Sequence, residues 1–382
     1  MFFIIFLCVY AVGNIYLLVR SWQALEIIGK QRIWYTAVFW VVALSFIVTQ
    51  VLRMKGASGA VFDAFCTIGS FWVSIMLYGF LMLIVIDLLR VVGWAGNIKP
   101  DIIYRNYLLS KAVFFGIVCL FFTVILGWGY HNAHRLQMTY VTIPVDKKAG
   151  QLTGLRVVMV SDIHLGHING RRLLVRIVDA INGQHPNLVL LAGDTFDGSP
   201  DPVIKKNMGQ EFERLQSKYG VYAVSGNHEY IGTRENVDAV SKAFGYLASH
   251  GVHPLQDSTV LIDNSFYLSG RKDLTAGSRK TIPELLHGTD RKLPIIMLDH
   301  QPYYLDKVEQ SGVDLQLSGH THHGQMWPLN YITRKMYEQD WGYLQKGKSN
   351  FYVSCGVGTW GPPIRIASFA EVVVIDLNFN FN

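Results

Sequence analysis

Side chains able to hold a divalent metal ion occur at five separate places in the chain. They stand in the short stretches "SDIH", "GDTFD", "GNHE", "LDHQP" and "SGHTHHGQ". Carboxylate oxygens, an amide oxygen and imidazole nitrogens together suit manganese, iron or zinc, and the lack of cysteine in these stretches argues against a structural zinc site. The candidate residues are Asp162, His164, Asp194, Asp197, Asn227, His228, His300, His320 and His322.

The number of candidates favours two metal ions over one. With about seven ligands, one carboxylate must bridge a pair, and two metals ~3.5–4 Å apart can hold both the attacking and the departing oxygen of a phosphoryl transfer. Such a pair also lowers the pKa of a bound water toward ~7. Each stretch alone is weak evidence, because a D-x-H or G-D pair is common by chance. The hypothesis therefore rests on all five stretches together.

The elements that must position these residues are short buried strands. From Leu155 onward, apolar runs such as "VVMV" and "LVLLA" alternate with helix-like stretches, which is the βαβ rhythm of a layered α/β domain. Runs without alternation predict central strands that are covered on both faces. All five stretches follow such runs, so we expect them to meet at the carboxyl edge of the sheet.

Three other histidines compete with His300 for a place in this site. They are His250, His253 and His287, but only His300 closes an apolar strand-like run and precedes a proline turn. His320 and His322 are two residues apart, so an extended segment would point both the same way. On that expectation His323 points elsewhere.

The first 130 residues have a different character. Four stretches, 2–19, 33–52, 64–86 and 112–130, run about 18 or more residues with almost no charge, which is long enough to cross ~30 Å of hydrocarbon. We interpret them as four transmembrane helices. For the first stretch a cleaved signal peptide is the alternative, but it lacks a basic n-region and its apolar run is too long.

Charge separates the two parts of the chain and suggests an orientation. Residues 1–130 hold nine Lys and Arg but four Asp and Glu, so five of the chain's six net positive charges come from this part. Nucleic-acid binding by the remainder therefore loses its main support. Of the basic residues between the spans, seven fall in the first and third loops and two in the second. The positive-inside rule then places the residues after Tyr130 outside the cytoplasm.

The five stretches in this order resemble the calcineurin-like metallophosphoesterase superfamily, whose pattern D-x-H, G-D-x-x-D, G-N-H-[DE], H, G-H-x-H is met from "DIH" to "GHTH". With "YVSCGVGTWGPPIR", the chain is similar to the bacterial membrane-associated phosphohydrolases of that superfamily. The resemblance implies an α/β fold in which a bundle of four transmembrane helices precedes two mixed β-sheets flanked by helices. The expected divisions are 1–130 for the helices, 131–154 for a linker with a first strand, and 155–382 for the phosphoesterase domain.

The resemblance also implies a role for each site residue. Asp162, His164 and His322 would hold one metal, Asn227, His300 and His320 the other, and Asp194 would bridge them. His228 would face the substrate as a proton donor or charge stabiliser, and Asp197 would orient His228 or simply serve as a turn residue. Glu229 is expected to hold a loop.

Two positions depart from the pattern of that subgroup. His323 stands where glycine is common, and Cys355 stands where an arginine is often found. The loss of that arginine would remove one phosphate contact. Arg365 is a candidate for contact with an anionic substrate, as is His323, although Arg365 could equally be an ordinary surface arginine.

The membrane helices favour a lipid-borne or envelope phosphoester or pyrophosphate as substrate, in a bacterial inner membrane with the catalytic domain outside the cytoplasm. Trp327 and Trp360 could line a rim that touches the bilayer, or could be buried in their loops. The alternatives are a phosphodiesterase acting on soluble substrates and an inactive metal-binding sensor. Cleavage of a UDP-linked acylated glucosamine, which some relatives perform, conflicts with the predicted orientation because that substrate is cytoplasmic.

Overall fold

The computed structural model describes residues 2–97, 107–231 and 237–380. The chain forms two compact units, Met1–Gly129 and Tyr130–Asn382. The first unit is helical, and the second contains all twelve strands that the structure describes.

The helices of the first unit follow the apolar stretches of the sequence. They are α1 Phe2–Ala24, α2 Arg32–Met54, α3 Ala60–Ala95 and α4 Tyr107–His134, with a 3₁₀ segment Leu25–Gln31 between the first two. α2 and α3 approach closely at Gly69, where an added Cβ would lie 2.6 Å from the backbone nitrogen of Phe46. A small residue at such a contact is typical of helices that pack in lipid.

Three of the described helical segments are long and apolar enough to cross a membrane: Ile28–Met54, Ala60–Ala95 and Leu109–His134. The prediction of four spans is therefore one too many by this measure. α1 is a helix of 23 residues, but it is not among these three candidate spans. Two basic residues used for the orientation, Lys99 and Arg105, lie outside the described residues.

Twelve strands form two six-stranded mixed sheets in the second unit. The strands are β1 Leu136–Val145, β2 Gly154–Val160, β3 Leu188–Ala192, β4 Val221–Val224, β5 Val252–Pro254, β6 Ser258–Ile262, β7 Phe266–Gly270, β8 Ile295–Leu298, β9 Leu315–Ser318, β10 Gly342–Lys346, β11 Ser349–Val353 and β12 Ala370–Phe379. The first sheet has the order β1-β12-β2-β3-β4-β5, and the second has the order β10-β11-β9-β8-β7-β6. The predicted α/β class with two mixed sheets is confirmed.

Parallel pairing directs the important strand ends to common edges. β2, β3, β4 and β5 run parallel in the first sheet, and β11, β9, β8 and β7 run parallel in the second. β1, which the sequence suggested as part of a link, pairs in parallel with β12 over its whole length, from Leu136 opposite Ala370 to Val145 opposite Phe379. It is thus the outer strand of the first sheet.

The sheets pack face to face, and helices cover their outer sides. Apolar side chains of both sheets, such as Met159 and Leu190 from one and Leu298 and Leu317 from the other, form one buried cluster. The opposite face of the first sheet packs under α5 Arg171–Asn182 and α7 Val237–Ser249, with the short α6 Asp201–Lys205 nearby in the chain. The outer face of the second sheet packs under α8 Ile282–Leu285 and α9 Leu305–Gln310. The central strands are therefore covered on both faces, which is why they are apolar without alternation. The last helix, α10 Asn330–Met336, follows the "SGHTHHGQ" stretch.

Candidate metal centre

The polar stretches singled out in the sequence begin directly after five strands. Asp162 follows β2, Asp194 follows β3 and Asn227 follows β4, all in the first sheet. His300 follows β8 and His320 follows β9 in the second sheet. Since parallel strands end at the same edge, both sheets deliver their polar residues to one place.

One group of possible ligands comprises Asp162, His164 and His322, all of them buried. Nε2 of His322 lies 3.3 Å from Oδ1 of Asp162 and 3.0 Å from Nε2 of His164. Two imidazole nitrogens and a carboxylate oxygen turned toward one point are a common set of metal ligands.

A second group comprises Asp194, His300 and His320. Nε2 of His300 lies 3.2 Å from Oδ2 of Asp194, and Nδ1 of His320 lies 2.7 Å from Oδ1 of Asn227. His164, Asp194 and His228 form a third group, which overlaps the other two. Asp194 thus belongs to two of the three groups, in a position from which a carboxylate can serve two ions.

The buried nitrogen of His300 fits a metal better than it fits any protein partner. Its Nδ1 hydrogen-bonds the carbonyl oxygen of Ala192 at 2.7 Å, while its Nε2 has no hydrogen-bond partner and points between Asp162 and Asp194. A ligating histidine commonly makes such a bond with its other ring nitrogen, which fixes the tautomer. The donor set of this site therefore fits divalent metal ions.

The charge states of four candidate ligands also suit metal ions. Burial opposes ionisation of Asp162 and Asp194, but the surrounding imidazoles outweigh it, so the pKa of each carboxyl group is lowered. Burial lowers the pKa of His164 to about 3 and that of His320 to about 4. At neutral pH the carboxylates are charged and these two imidazoles are neutral, which are the forms that bind metals.

His228 lies at the open side of the group. Its Nδ1 is 3.1 Å from Oδ1 of Asp197, and its side chain is 20% exposed, whereas His164 is 1% exposed. Burial lowers the pKa of His228, but the carboxylates of Asp194 and Asp197 more than compensate and raise it to about 9. The contact with Asp197 is the one that the sequence led us to expect.

The backbone at the site adopts unusual conformations. Positive φ angles occur at Asp162, His164, Asp194, His320 and His322, between 49° and 74°. His322–Gly324 forms a 3₁₀ turn, so the expectation of an extended segment through His320 and His322 was wrong. Non-glycine residues with positive φ cost about 1 kcal/mol or more each and concentrate at functional sites.

Two glycines of the polar stretches leave room for the carboxylates. A Cβ on Gly226 would lie 2.1 Å from Oδ1 of Asp194, and a Cβ on Gly319 would lie 2.3 Å from Oδ2 of Asp162. Both distances are impossible for real atoms, so any side chain here would displace a candidate ligand. The sequence showed these glycines, but it could not show what they lie against.

Glu229 holds loops together, as the sequence suggested. Its carboxylate accepts hydrogen bonds from the backbone N–H groups of Asp194, Phe196 and Gly226, at 3.2, 2.9 and 2.7 Å. It is 3% exposed and joins the loops after β3 and β4. The predicted rivals of His300, namely His250, His253 and His287, lie in none of the three ligand groups.

Arg365 is completely buried, so it is neither the substrate contact nor the surface arginine that the sequence left open. It donates hydrogen bonds to the carbonyl oxygens of Cys355, Gly356 and Gly358. Its Nη2 lies 3.2 Å from Nδ1 of His322. Arg365 therefore supports the ligand His322 from behind.

His323 also faces away from the ligand groups. Its Nδ1 lies 2.9 Å from Oδ2 of Asp340, its Nε2 lies 3.4 Å from Nη2 of Arg334, and the side chain is buried. The suggestion that His323 contacts the substrate does not fit this position. Cys355 is likewise buried, and its thiol donates to the carbonyl oxygen of Phe369 at 3.2 Å.

Comparison with known proteins agrees with this geometry. The family model for calcineurin-like phosphoesterases matches residues 155–324. An uncharacterized metallophosphoesterase of Aquifex aeolicus is 31% identical over 270 residues, which cover 68% of this chain and 98% of that protein.

The chain belongs to the calcineurin-like phosphoesterase family. Two vertebrate relatives carry the description "transmembrane protein with metallophosphoesterase domain". The one from Danio rerio is 32% identical over 278 residues, covering 68% of this chain and 62% of that protein. The one from Bos taurus is 31% identical over 258 residues, covering 63% and 56%. The matched region thus spans about three-fifths of the length of these two relatives. This family member combines a metal-binding site with apolar helices near its N-terminus.

Proposed function

We propose that this chain is a membrane-anchored phosphohydrolase that uses two divalent metal ions, manganese, iron or zinc, to cleave a phosphoester or pyrophosphate bond. The observation that supports this most strongly is the position of Asp194 in two overlapping groups of possible ligands. A carboxylate shared between neighbouring groups is what a metal pair requires.

Each ion has its own set of side chains in this proposal. Asp162, His164 and His322 would hold one ion, Asn227, His300 and His320 would hold the other, and Asp194 would be shared between them. When bound, the ions polarise the phosphoryl group and activate water. The chain orients its ligands through buried contacts: Ala192 fixes the ring of His300, and Arg365 lies behind His322.

His228 provides the group that faces the substrate. Asp197 accepts a hydrogen bond from its Nδ1, which orients the ring and turns Nε2 away from Asp197. From there Nε2 donates a hydrogen bond to a phosphate oxygen or a proton to the departing alkoxide. The partial exposure of His228 gives a substrate access to it.

The substrate class that we propose is a phosphorylated lipid or another envelope phosphate. The candidate span Leu109–His134 is continuous in sequence with the unit Tyr130–Asn382, which carries the candidate metal centre and is called the catalytic unit below. We further propose that the catalytic unit lies on the extracytoplasmic face of a bacterial inner membrane. The positive-inside rule gives this orientation for three spans as for four, because Arg20, Lys30 and Arg32 precede or begin the second helix in either case.

Phosphate release tests the activity. Full-length protein in detergent, stripped of metal and supplied with manganese, is expected to hydrolyse bis-p-nitrophenyl phosphate and to release phosphate from a lipid extract, as followed by phosphorus NMR. Asp194→Asn is expected to lose metal and activity together. Equal activity of this variant and the parent would refute the metal mechanism. Cleavage of the soluble diester alone would refute the lipid substrate but leave the phosphohydrolase standing.

The orientation has its own test. Alkaline phosphatase fused after Asn382 is expected to be active in bacterial cells, because it folds only outside the cytoplasm. An inactive fusion with an active cytoplasmic reporter at the same position would reverse the proposed topology.

A further inference from the structure

Five large apolar side chains are exposed on one part of the catalytic unit. Trp327, Tyr331, Ile332, Met336 and Trp360 are exposed by 47, 55, 53, 58 and 38%. We call these five residues the aromatic face. Single exposed apolar residues are ordinary, whereas a contiguous group of them marks an interaction surface. The two tryptophans are thus exposed, and the alternative that they are buried in their loops is wrong.

Gln325 joins the loops that carry the two tryptophans. Its buried side chain donates from Nε2 to the carbonyl oxygens of Trp360 and Pro362, at 3.1 and 2.9 Å. Its Oε1 accepts from the backbone N–H of Trp360 at 3.1 Å. Because Gln325 stands two residues before Trp327, these three bonds hold Trp327 and Trp360 on neighbouring loops.

α10 lies against the same loop. Gly324 packs so closely against Asn330, the first residue of α10, that an added Cβ would be 2.3 Å from the backbone nitrogen of Asn330. Tyr331, Ile332 and Met336 are exposed on this helix. The aromatic face is therefore carried by one helix and two loops that are joined to one another.

This surface adjoins the metal centre. The loop that bears Trp327 begins with the ligands His320 and His322. At the other end of α10, the ring of Tyr337 lies 6.0 Å from the ring of His320, between centroids. A molecule that contacts the aromatic face thus lies beside the candidate ligands.

The end of a candidate membrane span is attached to the same region. Asn132 lies in the last turn of the span Leu109–His134, and its Nδ2 donates to the carbonyl oxygens of Arg365 and Ser368, at 3.1 and 2.6 Å. Trp360 precedes Arg365 by five residues, which is at most about 18 Å of chain. Asn132 therefore ties the last turn of the candidate span to the loop that carries Trp360.

The chemistry of the surface matches the boundary of a bilayer. Tryptophan and tyrosine are enriched at membrane–water interfaces, because their rings are apolar and carry one polar group. α10 also bears Arg334 and Lys335, both exposed, and no acidic residue. Basic side chains beside apolar ones bind the anionic headgroups of lipids.

We propose that the aromatic face inserts into the lipid–water interface of the bilayer that the chain's own helices cross. In this position α10 lies at the level of the headgroups, and the metal centre opens beside it. For a lipid-borne phosphate, which rests on the proposed function, the surface guides the headgroup to the metals while the acyl chains stay in the membrane.

Spin labelling of the full-length protein tests the proposal. The four cysteines are free, and Cys8 and Cys119 are exposed, so both are replaced by serine to reduce background labelling. A nitroxide is placed at Ile332→Cys, with Leu261→Cys as the control. Leu261 is 42% exposed, but it lies on β6, the edge strand at the far end of the second sheet's order.

The labelled proteins are reconstituted into nanodiscs of phosphatidylcholine and phosphatidylglycerol. At position 332, collisions with oxygen are expected to exceed those with a water-soluble nickel complex, and at position 261 the order is reversed. The proposal would be overturned if position 332 showed the same order of collisions as position 261. It would also be overturned if both reagents were excluded from position 332, as in a protein contact. Hydrolysis of bis-p-nitrophenyl phosphate by the same samples reports on the metal centre separately, so failure of the membrane contact is distinguishable from failure of the proposed activity.

Discussion

The guanidinium group of Arg365 lies 3.2 Å from the ring of His322, with both side chains inside the protein. Arg365 also binds the carbonyl oxygens of the loop after β11, and the carbonyl oxygen of Arg365 itself accepts from Asn132 in the last turn of a candidate span. A single residue thus connects a candidate metal ligand, the loop behind it and the end of a membrane helix.

Replacing Arg365 by lysine is expected to weaken both folding and metal binding. Lysine keeps the charge but cannot serve the several acceptors that surround the planar guanidinium group. We expect a loss of at least about 3 kcal/mol in stability, because buried acceptors are left without donors. Metal affinity should fall by roughly 10–100-fold, as is usual when a group behind a ligand is changed.

Thermal unfolding in detergent and metal titration measure the two effects of Arg365→Lys. Arg156→Lys is the control, since Arg156 is 43% exposed and paired with Asp376 at the surface. This control is expected to change stability by no more than about 1 kcal/mol. Equal behaviour of the two variants would show that the buried contacts of Arg365 are unimportant.

His228→Ala is expected to lower kcat by roughly 10²–10⁴-fold, because it removes a proton donor or charge stabiliser. The metal content should stay at the parent level if His228 faces the substrate. His228 also belongs to a possible ligand group with His164 and Asp194, so the metal content of this variant distinguishes the two roles. Loss of one metal ion, measured by mass spectrometry of the purified protein, would make His228 a ligand instead.

Gly226→Ala is expected to abolish metal binding with little change in overall secondary structure. The new Cβ would stand 2.1 Å from Oδ1 of Asp194 and would push that carboxylate away. Gly245→Ala is the matched control, because the space around Gly245 in α7 is open within 4 Å. In a helix interior this control should be neutral or stabilising by up to about 1 kcal/mol. Full metal content in Gly226→Ala would contradict the observed packing.

Glu229→Ala is expected to destabilise the catalytic unit by about 3 kcal/mol or more. Three buried N–H groups would lose their acceptor, and each costs about 1–3 kcal/mol when left unsatisfied. Glu229→Gln retains one acceptor oxygen and should be less harmful. Thermal unfolding at fixed pH ranks the three proteins, and a Gln variant worse than the Ala variant would contradict this role.

The sequence predicted the placement of the candidate site well. Asp162, Asp194 and His300 each follow an apolar run, and such runs form parallel strands whose ends share an edge. This regularity of parallel sheets made the meeting of distant residues predictable without any coordinates. Residues around the site were harder to assign, because the sequence does not show whether an arginine is buried or exposed.

In the membrane part, the presence of apolar helices was easier to predict than the number of spans. Its four apolar helices were predictable from the lack of charge, but the described residues contain three candidate spans, and α1 is not one of them.

By itself, the sequence determined the α/β class, the metal-binding residue types and the presence of apolar helices, because strand and helix periodicity and ligand chemistry are local properties. Only the tertiary structure decided that Arg365 supports His322, that His323 turns toward Asp340, and that Trp327 and Trp360 are exposed on neighbouring loops. Those facts depend on which distant segments pack together, and on turns with positive φ that no periodic sequence pattern predicts.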